Sequence, residues 1–196
     1  MYNLILTLRV NKQFWFLHEQ GEITRKQLFK ERFPVFFKEI HLEKEVDFQA
    51  LDDEYRYFLS QSYELMPEAL ETLVELKEKG YEMYIVTNGA TEVSRPRIEH
   101  SGLAPFFHQI FVSEELGANK PDKAFFESVF QQVKDSDKKE FVIIGDSLTS
   151  DILGGKNAGI GTIWYNPTEQ KRDKALLPDV EIHRLSEISI FLNKWD

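Results

Sequence analysis

The chain has 196 residues, 42% apolar and 29% charged, which suits one globular domain, or one with an insertion, at roughly 150 residues per domain, and excludes a disordered or low-complexity chain. With 33 acidic against 24 basic residues the formal charge is -9, so a broad basic face for duplex nucleic acid is excluded. Cysteine is absent, which removes disulfide frameworks, thiolate zinc sites, iron–sulfur clusters and cysteine nucleophiles together and is compatible with a reducing cytoplasm.

The most apolar early stretch, Leu4 to Val10, contains Arg9 and is far too short to span a bilayer. A cytosolic protein with no membrane partner is therefore expected. Residues 1–8 are a candidate central core strand built on Leu4-Ile5-Leu6, ending where a helix at Asn11 should begin. The rival is that this leucine-rich segment extends that helix backwards, since leucine favours helix. Over residues 9–65 apolar positions recur at helical spacing: Phe14 and Leu17, then Leu28, Phe29, Phe33, Phe36 and Phe37, then Leu51, Tyr55, Phe58 and Leu59. This predicts an all-helical block. Thr24 is the expected N-cap of its second helix, and Pro34 is expected to kink or end that helix.

From 66 to 196 the pattern changes. A helix opens at Pro67-Glu68-Ala69 and closes at Lys79-Gly80. Short apolar runs follow at Met83 to Val86, Ile110 to Val112, Phe141 to Ile144, Thr162 to Trp164 and Val180 to His183. Helices are expected near Thr91 to His100, Lys123 to Val133 and Thr149 to Ala158. Continuous apolar runs alternating with helices predict an α/β fold: a Rossmann-like parallel sheet with helices on both faces, here carrying a small all-helical domain.

Ligands of such sheets lie at the carboxyl ends of the strands. There the sequence places Thr87-Asn88-Gly89, a candidate phosphate cradle whose plainer reading is a strand-to-helix turn. Gly145-Asp146-Ser147 with Asp151 brings two carboxylates to one strand tip, which suits magnesium, although Asp146 or Ser147 could instead cap the next helix. Lys120, in Asn119-Lys120-Pro121, could neutralise phosphate or be one more surface charge. Gly154-Gly155-Lys156 lacks P-loop spacing and Gly159-Ile160-Gly161 lacks the remaining glycine of a dinucleotide fingerprint, so both are expected to let a helix pack close to the sheet. The five histidines form no i,i+4 pair or cluster, and zinc is not expected.

In that order and at those strand ends, Thr87-Asn88-Gly89, Lys120-Pro121 and Gly145-Asp146 with Asp151 resemble the second, third and fourth motifs of the haloacid dehalogenase-like hydrolases. The helical block, with Asn11, Trp15, Glu19, Thr24-Arg25 and Arg32-Phe33, is similar to the small helical cap of the pyrimidine 5′-nucleotidase-like subgroup. The resemblance implies a magnesium-dependent phosphate monoester hydrolase acting on a small phosphorylated molecule such as a nucleoside monophosphate. Thr87, Asn88, Gly89 and Lys120 would then meet phosphate, with Lys120 also a catalytic group, and Asp146 and Asp151 would hold the metal. Such enzymes use an aspartate nucleophile in an Asp-x-Asp motif after a first apolar strand, which would lie between the strands at Met83 and Phe141. The motif is missing here: the aspartates before Met66 are Asp47, Asp52 and Asp53, all in the helical block, and Leu4-Ile5-Leu6 would put Thr7 and Arg9 at those places. Two origins are compatible with this, a truncated product and a natural nonenzymatic relative. The expected function is a nucleotidase-type hydrolase inactive as given. The alternatives are a noncatalytic phosphate- or nucleotide-binding or protein-interaction module and, more remotely, a phospho-receiver with Asp146 as acceptor.

Overall fold

A computed structural model describes residues 2–42, 45–133, 137–171 and 176–195. Its contacts divide the chain into two compact units, Met1–Ser60 and Gln61–Asp196.

The first unit holds three helices: α1 (Tyr2–Glu19), α2 (Arg25–Glu39) and α3 (Phe48–Gln61). The strand expected over residues 1–8 does not form: from Tyr2 onward the segment is the first half of α1, and Met1 lies outside the described residues. The intrinsic helix preference of a leucine-rich run, continuous with the periodic residues that follow, is the physical reason. Val10 and Phe14 of α1 pack on Leu28 of α2. Thr24 caps α2 as expected, in a capping box: its hydroxyl accepts from the Gln27 amide at 3.2 Å and the Gln27 side chain accepts from the Thr24 amide at 2.9 Å. Pro34 does not end α2, which runs on to Glu39. The ring forfeits one main-chain hydrogen bond, while Phe33 beside it is buried and packs edge-on against Tyr55 of α3. In α3 the buried positions are Asp52 and Ser60, and Phe58, placed on the apolar face by its spacing, is 61% exposed. What orients α3 is charge: Asp52 accepts from Arg32 Nε at 2.8 Å and from Arg56 Nε at 2.8 Å. Arg32 is also ringed by Phe29, Phe33 and Tyr55.

The second unit begins with α4 (Ala69–Glu78) and β1 (Tyr84–Thr87), followed by α5 (Thr91–His100), β2 (Gln109–Val112), a single turn α6 (Ser113–Leu116) and α7 (Lys123–Phe130). Then come β3 (Val142–Gly145), a wide turn at Leu148–Ile152, α8 (Leu153–Ala158), β4 (Gly161–Tyr165), β5 (Val180–Ile182) and α9 (Ile188–Phe191). All described pairings are parallel, and each strand falls on one of the apolar runs. The strands form two sheets rather than one, β1-β2 and β3-β4-β5. The break falls between β1 and β3, where the first strand had been expected.

Alternate strand residues face opposite sides of a sheet. Accordingly, Ile143 joins a core with Phe125, Phe126 and Val129 of α7 and Ala158 of α8, while its neighbour Val142 packs with the cluster built on Leu76 of α4 and Ile188 of α9. Gly154 and Gly155 allow the close approach of α8. A Cβ on Gly154 would lie 2.7 Å from the Phe126 ring, and one on Gly155 would lie 2.6 Å from both Ile143 and Thr162 side chains.

Candidate functional site

Three loops meet at the carboxyl ends of β1 and β3. Lys120 joins them. Only 6% exposed, it donates from Nζ to the Val86 carbonyl of β1 at 2.8 Å and to Asp151 Oδ1 at 2.6 Å. An ammonium has three donors, so one N–H remains after these bonds. Asp151 is equally committed, because its second oxygen accepts from the Ser147 amide at 3.1 Å. The wide turn after β3 makes this reach feasible: the Ile152 amide bonds the Ser147 carbonyl across five residues at 3.1 Å, a geometry found mostly as single turns, often at functional sites. Gly145 is required there because a Cβ would collide with the Asp151 carboxylate.

Asn88 clamps the Lys120 loop from the other side. Its side chain donates to the Lys120 carbonyl at 2.8 Å and accepts from the Lys120 amide at 2.9 Å. This buried amide therefore positions Lys120. The Gly89 amide is committed as well, donating to Thr87 Oγ1 at 3.0 Å, which fixes the Thr87 hydroxyl and leaves its proton to donate elsewhere. A Cβ on Gly89 would strike the Ser94 hydroxyl and come within 3.1 Å of Thr87 Oγ1. The helix that follows also has a partner at its start, the Thr91 amide donating to Glu114 at 2.9 Å. Beside it, the Arg95 guanidinium grips Glu115 with two bonds and holds that carboxyl below its ordinary value.

Of the two acids at the β3 tip, Ser147 and not Asp146 caps the turn, accepting from the Ser150 amide at 3.1 Å. The Asp146 backbone carbonyl is held by Trp164 Nε1 at 3.0 Å, and its exposed carboxylate has no partner among the described residues. Asp146 is thus the acid free to meet a cation, whereas Asp151, the other expected ligand, has both oxygens engaged by Lys120 and Ser147. Among the described residues no group of three metal-capable side chains gathers. Of the two positions that sequence comparison set beside the missing motif, Thr7 lies within the helix α1, and Arg9 on the same helix pairs with Glu39 at 2.6 Å.

The structure therefore brings Thr87, Lys120, Asp146 and Asp151 to adjoining loops, as expected from their strand-end positions. It shows Asn88 and Gly89 holding the others in place. Sequence reasoning missed Trp164 and Glu114, which carry no motif signal because their partners lie far away in the chain.

Comparison with known proteins agrees with this geometry. The family model of haloacid dehalogenase-like hydrolases matches residues 17–165. Pyrimidine 5′-nucleotidase PynA of Streptococcus pneumoniae is 37% identical over 94% of this chain and 77% of its own length. Pyrimidine 5′-nucleotidase YjjG of Escherichia coli is 29% identical over 94% and 80%. The crystal structure of the HAD-hydrolase YfnB of Bacillus subtilis, solved bound to magnesium, superposes with a TM-score of 0.90 at 36% identity, covering 97% of this chain and 82% of that one. With parallel strands, strand-end loops and relatives in agreement, the chain belongs to the haloacid dehalogenase-like hydrolases, among relatives of nucleotidase type.

Proposed function

We propose that this chain forms a nucleotidase-type phosphate site that binds a nucleoside monophosphate, a pyrimidine nucleotide by analogy with its relatives, and by itself hydrolyses it negligibly. The observation that supports this best is Lys120, whose ammonium is pinned to the carbonyl of Val86, the residue before Thr87, with one N–H to offer. With the Thr87 hydroxyl it would grip one phosphoryl group. Because Lys120 is already half neutralised by Asp151, binding should be weak, roughly millimolar.

The donor set fits a weak magnesium site. Asp146 supplies one free carboxylate, and magnesium commonly uses one or two carboxylates together with phosphate oxygens and water. When bound, the ion would offset phosphoryl charge. Negligible turnover follows from the carboxylates that are present: Asp151 is fixed by Lys120 and the Ser147 amide, and Asp146 serves as the cation ligand. Without an activated nucleophile, most of the rate enhancement of a group that acts as a unit is lost.

The test is calorimetric titration of uridine and cytidine monophosphate into the purified chain with magnesium, alongside a phosphate-release assay. Saturable binding weakened by Thr87→Val and by Lys120→Met, with release at the level of the blank, is the expected result. Absence of binding overturns the proposed site. Robust release abolished by Asp146→Asn overturns the claim of negligible turnover.

A further inference from the structure

Asn88 is the one asparagine in the chain that is followed by a glycine. That pair is chemically reactive, because the glycine nitrogen can close a five-membered ring on the asparagine Cγ with no Cβ in the way and with a main chain free to turn. Every other asparagine precedes a residue that carries a Cβ, and Asn166 precedes Pro167, which has no N–H to give up.

The folded chain keeps the two reacting groups apart. Asn88 is 8% exposed. Its side chain is turned to the Lys120 loop, Nδ2 donating to the Lys120 carbonyl at 2.8 Å and Oδ1 accepting from the Lys120 amide at 2.9 Å. The nitrogen that would attack donates its proton to Thr87 Oγ1 at 3.0 Å. The Lys120 loop is itself tied down, through Nζ, to the Val86 carbonyl and to Asp151. Ring closure therefore requires three hydrogen bonds to open together. If each bond contributes about a fivefold factor, the fold slows the reaction by roughly a hundredfold.

We propose that Asn88-Gly89 is a deamidation site, with water as the co-reactant, which the Lys120 loop latches shut and which reacts when that loop opens. In the open loop, water takes the Gly89 N–H proton, and the nitrogen attacks Asn88 Cγ. The Cγ–Nδ2 bond breaks, and Nδ2 leaves as ammonia with a proton returned from water. The cyclic imide then adds water at one of its two carbonyls. Breaking the new N–Cγ bond leaves aspartate, and breaking the original peptide C–N bond leaves isoaspartate. The net change is ammonia lost and water gained, with nothing oxidised or reduced.

Either product disables the latch. Aspartate has no donor for the Lys120 carbonyl and sets a carboxylate oxygen against it, while isoaspartate lengthens the main chain by one methylene. The site is thus a one-way switch that converts a transient opening of the Lys120 loop into a permanent one. Loop closing is far faster than imide formation, so the rate follows the population of the open loop, by the rule that governs slow cleavage of a transiently opened segment.

The experiment incubates the full chain beside a synthetic peptide spanning Ile85 to Val93, and follows aspartate and isoaspartate at position 88 by fragmentation mass spectrometry. Deuterium exchange of a peptide covering Ala118 to Lys123 reports the latch, because the Lys120 amide is bound to Asn88 Oδ1. The folded chain should react roughly a hundredfold more slowly than the peptide. Urea below the unfolding transition should raise deamidation and exchange of the Lys120 amide by the same factor. Thr87→Val, which removes the acceptor of the Gly89 N–H, should speed the reaction about fivefold, and Thr87→Ser should restore the parent rate. Once conversion is complete, the Lys120 amide should exchange rapidly while β4 and β5 stay protected. Deamidation of the folded chain at the peptide's rate, urea responses that diverge, or slow exchange of the Lys120 amide after conversion would each overturn the proposal.

Discussion

Replacing Lys120 by methionine tests the link on which the strand-end site depends. The Lys120 and Asp151 side chains are 7% and 9% exposed and 2.6 Å apart, so removing the ammonium leaves a carboxylate in a nearly dry environment with only the Ser147 amide for compensation. Breaking a buried pair in this way typically costs about 3–5 kcal/mol. Loss of the Val86 carbonyl's bond adds about 1 kcal/mol. A total of about 5 kcal/mol is therefore expected, a large share of a typical folding stability. Adding Asp151→Asn to Lys120→Met removes the stranded charge, keeps an acceptor for the Ser147 amide, and should recover about 2 kcal/mol. The measurement is urea-dependent hydrogen exchange of peptides covering Val142–Tyr165, which reports opening of the second unit and is blind to the helical one. A cycle in which the two substitutions are additive, or a Lys120→Met chain within 1 kcal/mol of the parent, would refute the claim that this pair carries the junction of β1 and β3.

Other expectations follow from polar contacts elsewhere. Asp52→Ala removes the carboxylate that faces Arg32 among three aromatic rings, leaving it only the Asn11 side chain, and takes one of the two acids paired with Arg56, which keeps Asp53; exchange in α2 and α3 should rise by the equivalent of about 3–5 kcal/mol, while β3 and β4 stay protected. Asp179 bridges β4 and the start of β5: burial pushes its carboxyl up, but Lys156 and the amide and hydroxyl of Thr162 outweigh this and hold it below its ordinary 3.8. A lowered folded-state value stabilises above the unfolded value and loses that stabilisation as pH falls through the folded one. Asp179→Asn should therefore cost about 1–2 kcal/mol at pH 7, discounted for partial exposure, and the gap between the two proteins should close below about pH 4, as read from urea midpoints across pH.

How much of this was legible in sequence depends on how local the physics was. The strands were legible, because a run such as Phe141-Val142-Ile143-Ile144 needs burial on both faces and little else forms it. So was the Thr24 cap, a contact three residues long. The fate of residues 1–8 was not, since Leu4-Ile5-Leu6 suits a buried strand and a helix alike; continuity with Val10 and Phe14 on α1 goes with the helix. Of the two outcomes expected at Pro34, a kink or an end, the end does not occur: α2 runs on to Glu39, with Phe33 packed on Tyr55. The burial of Asp52 was not legible, because the partner that holds it, Arg32, lies twenty residues upstream.

The strand-end residues show the same limit in a form that bears on function. Thr87, Asn88, Gly89, Lys120, Asp146 and Asp151 could all be named from sequence, and each could be imagined turned towards a ligand. In the folded chain most of their polar atoms face one another: Asn88 is bound to the Lys120 backbone, Gly89 to Thr87, and Asp151 to Lys120 and Ser147. Burial demands this, since a polar group shielded from water and left without a partner costs about 1–3 kcal/mol. What is left over, one N–H of Lys120, the Thr87 proton and the Asp146 carboxylate, is the set that can act on a ligand. A strand-end motif thus identifies a site through all its members, but its chemistry belongs to the few whose hydrogen-bonding capacity the fold leaves unfilled.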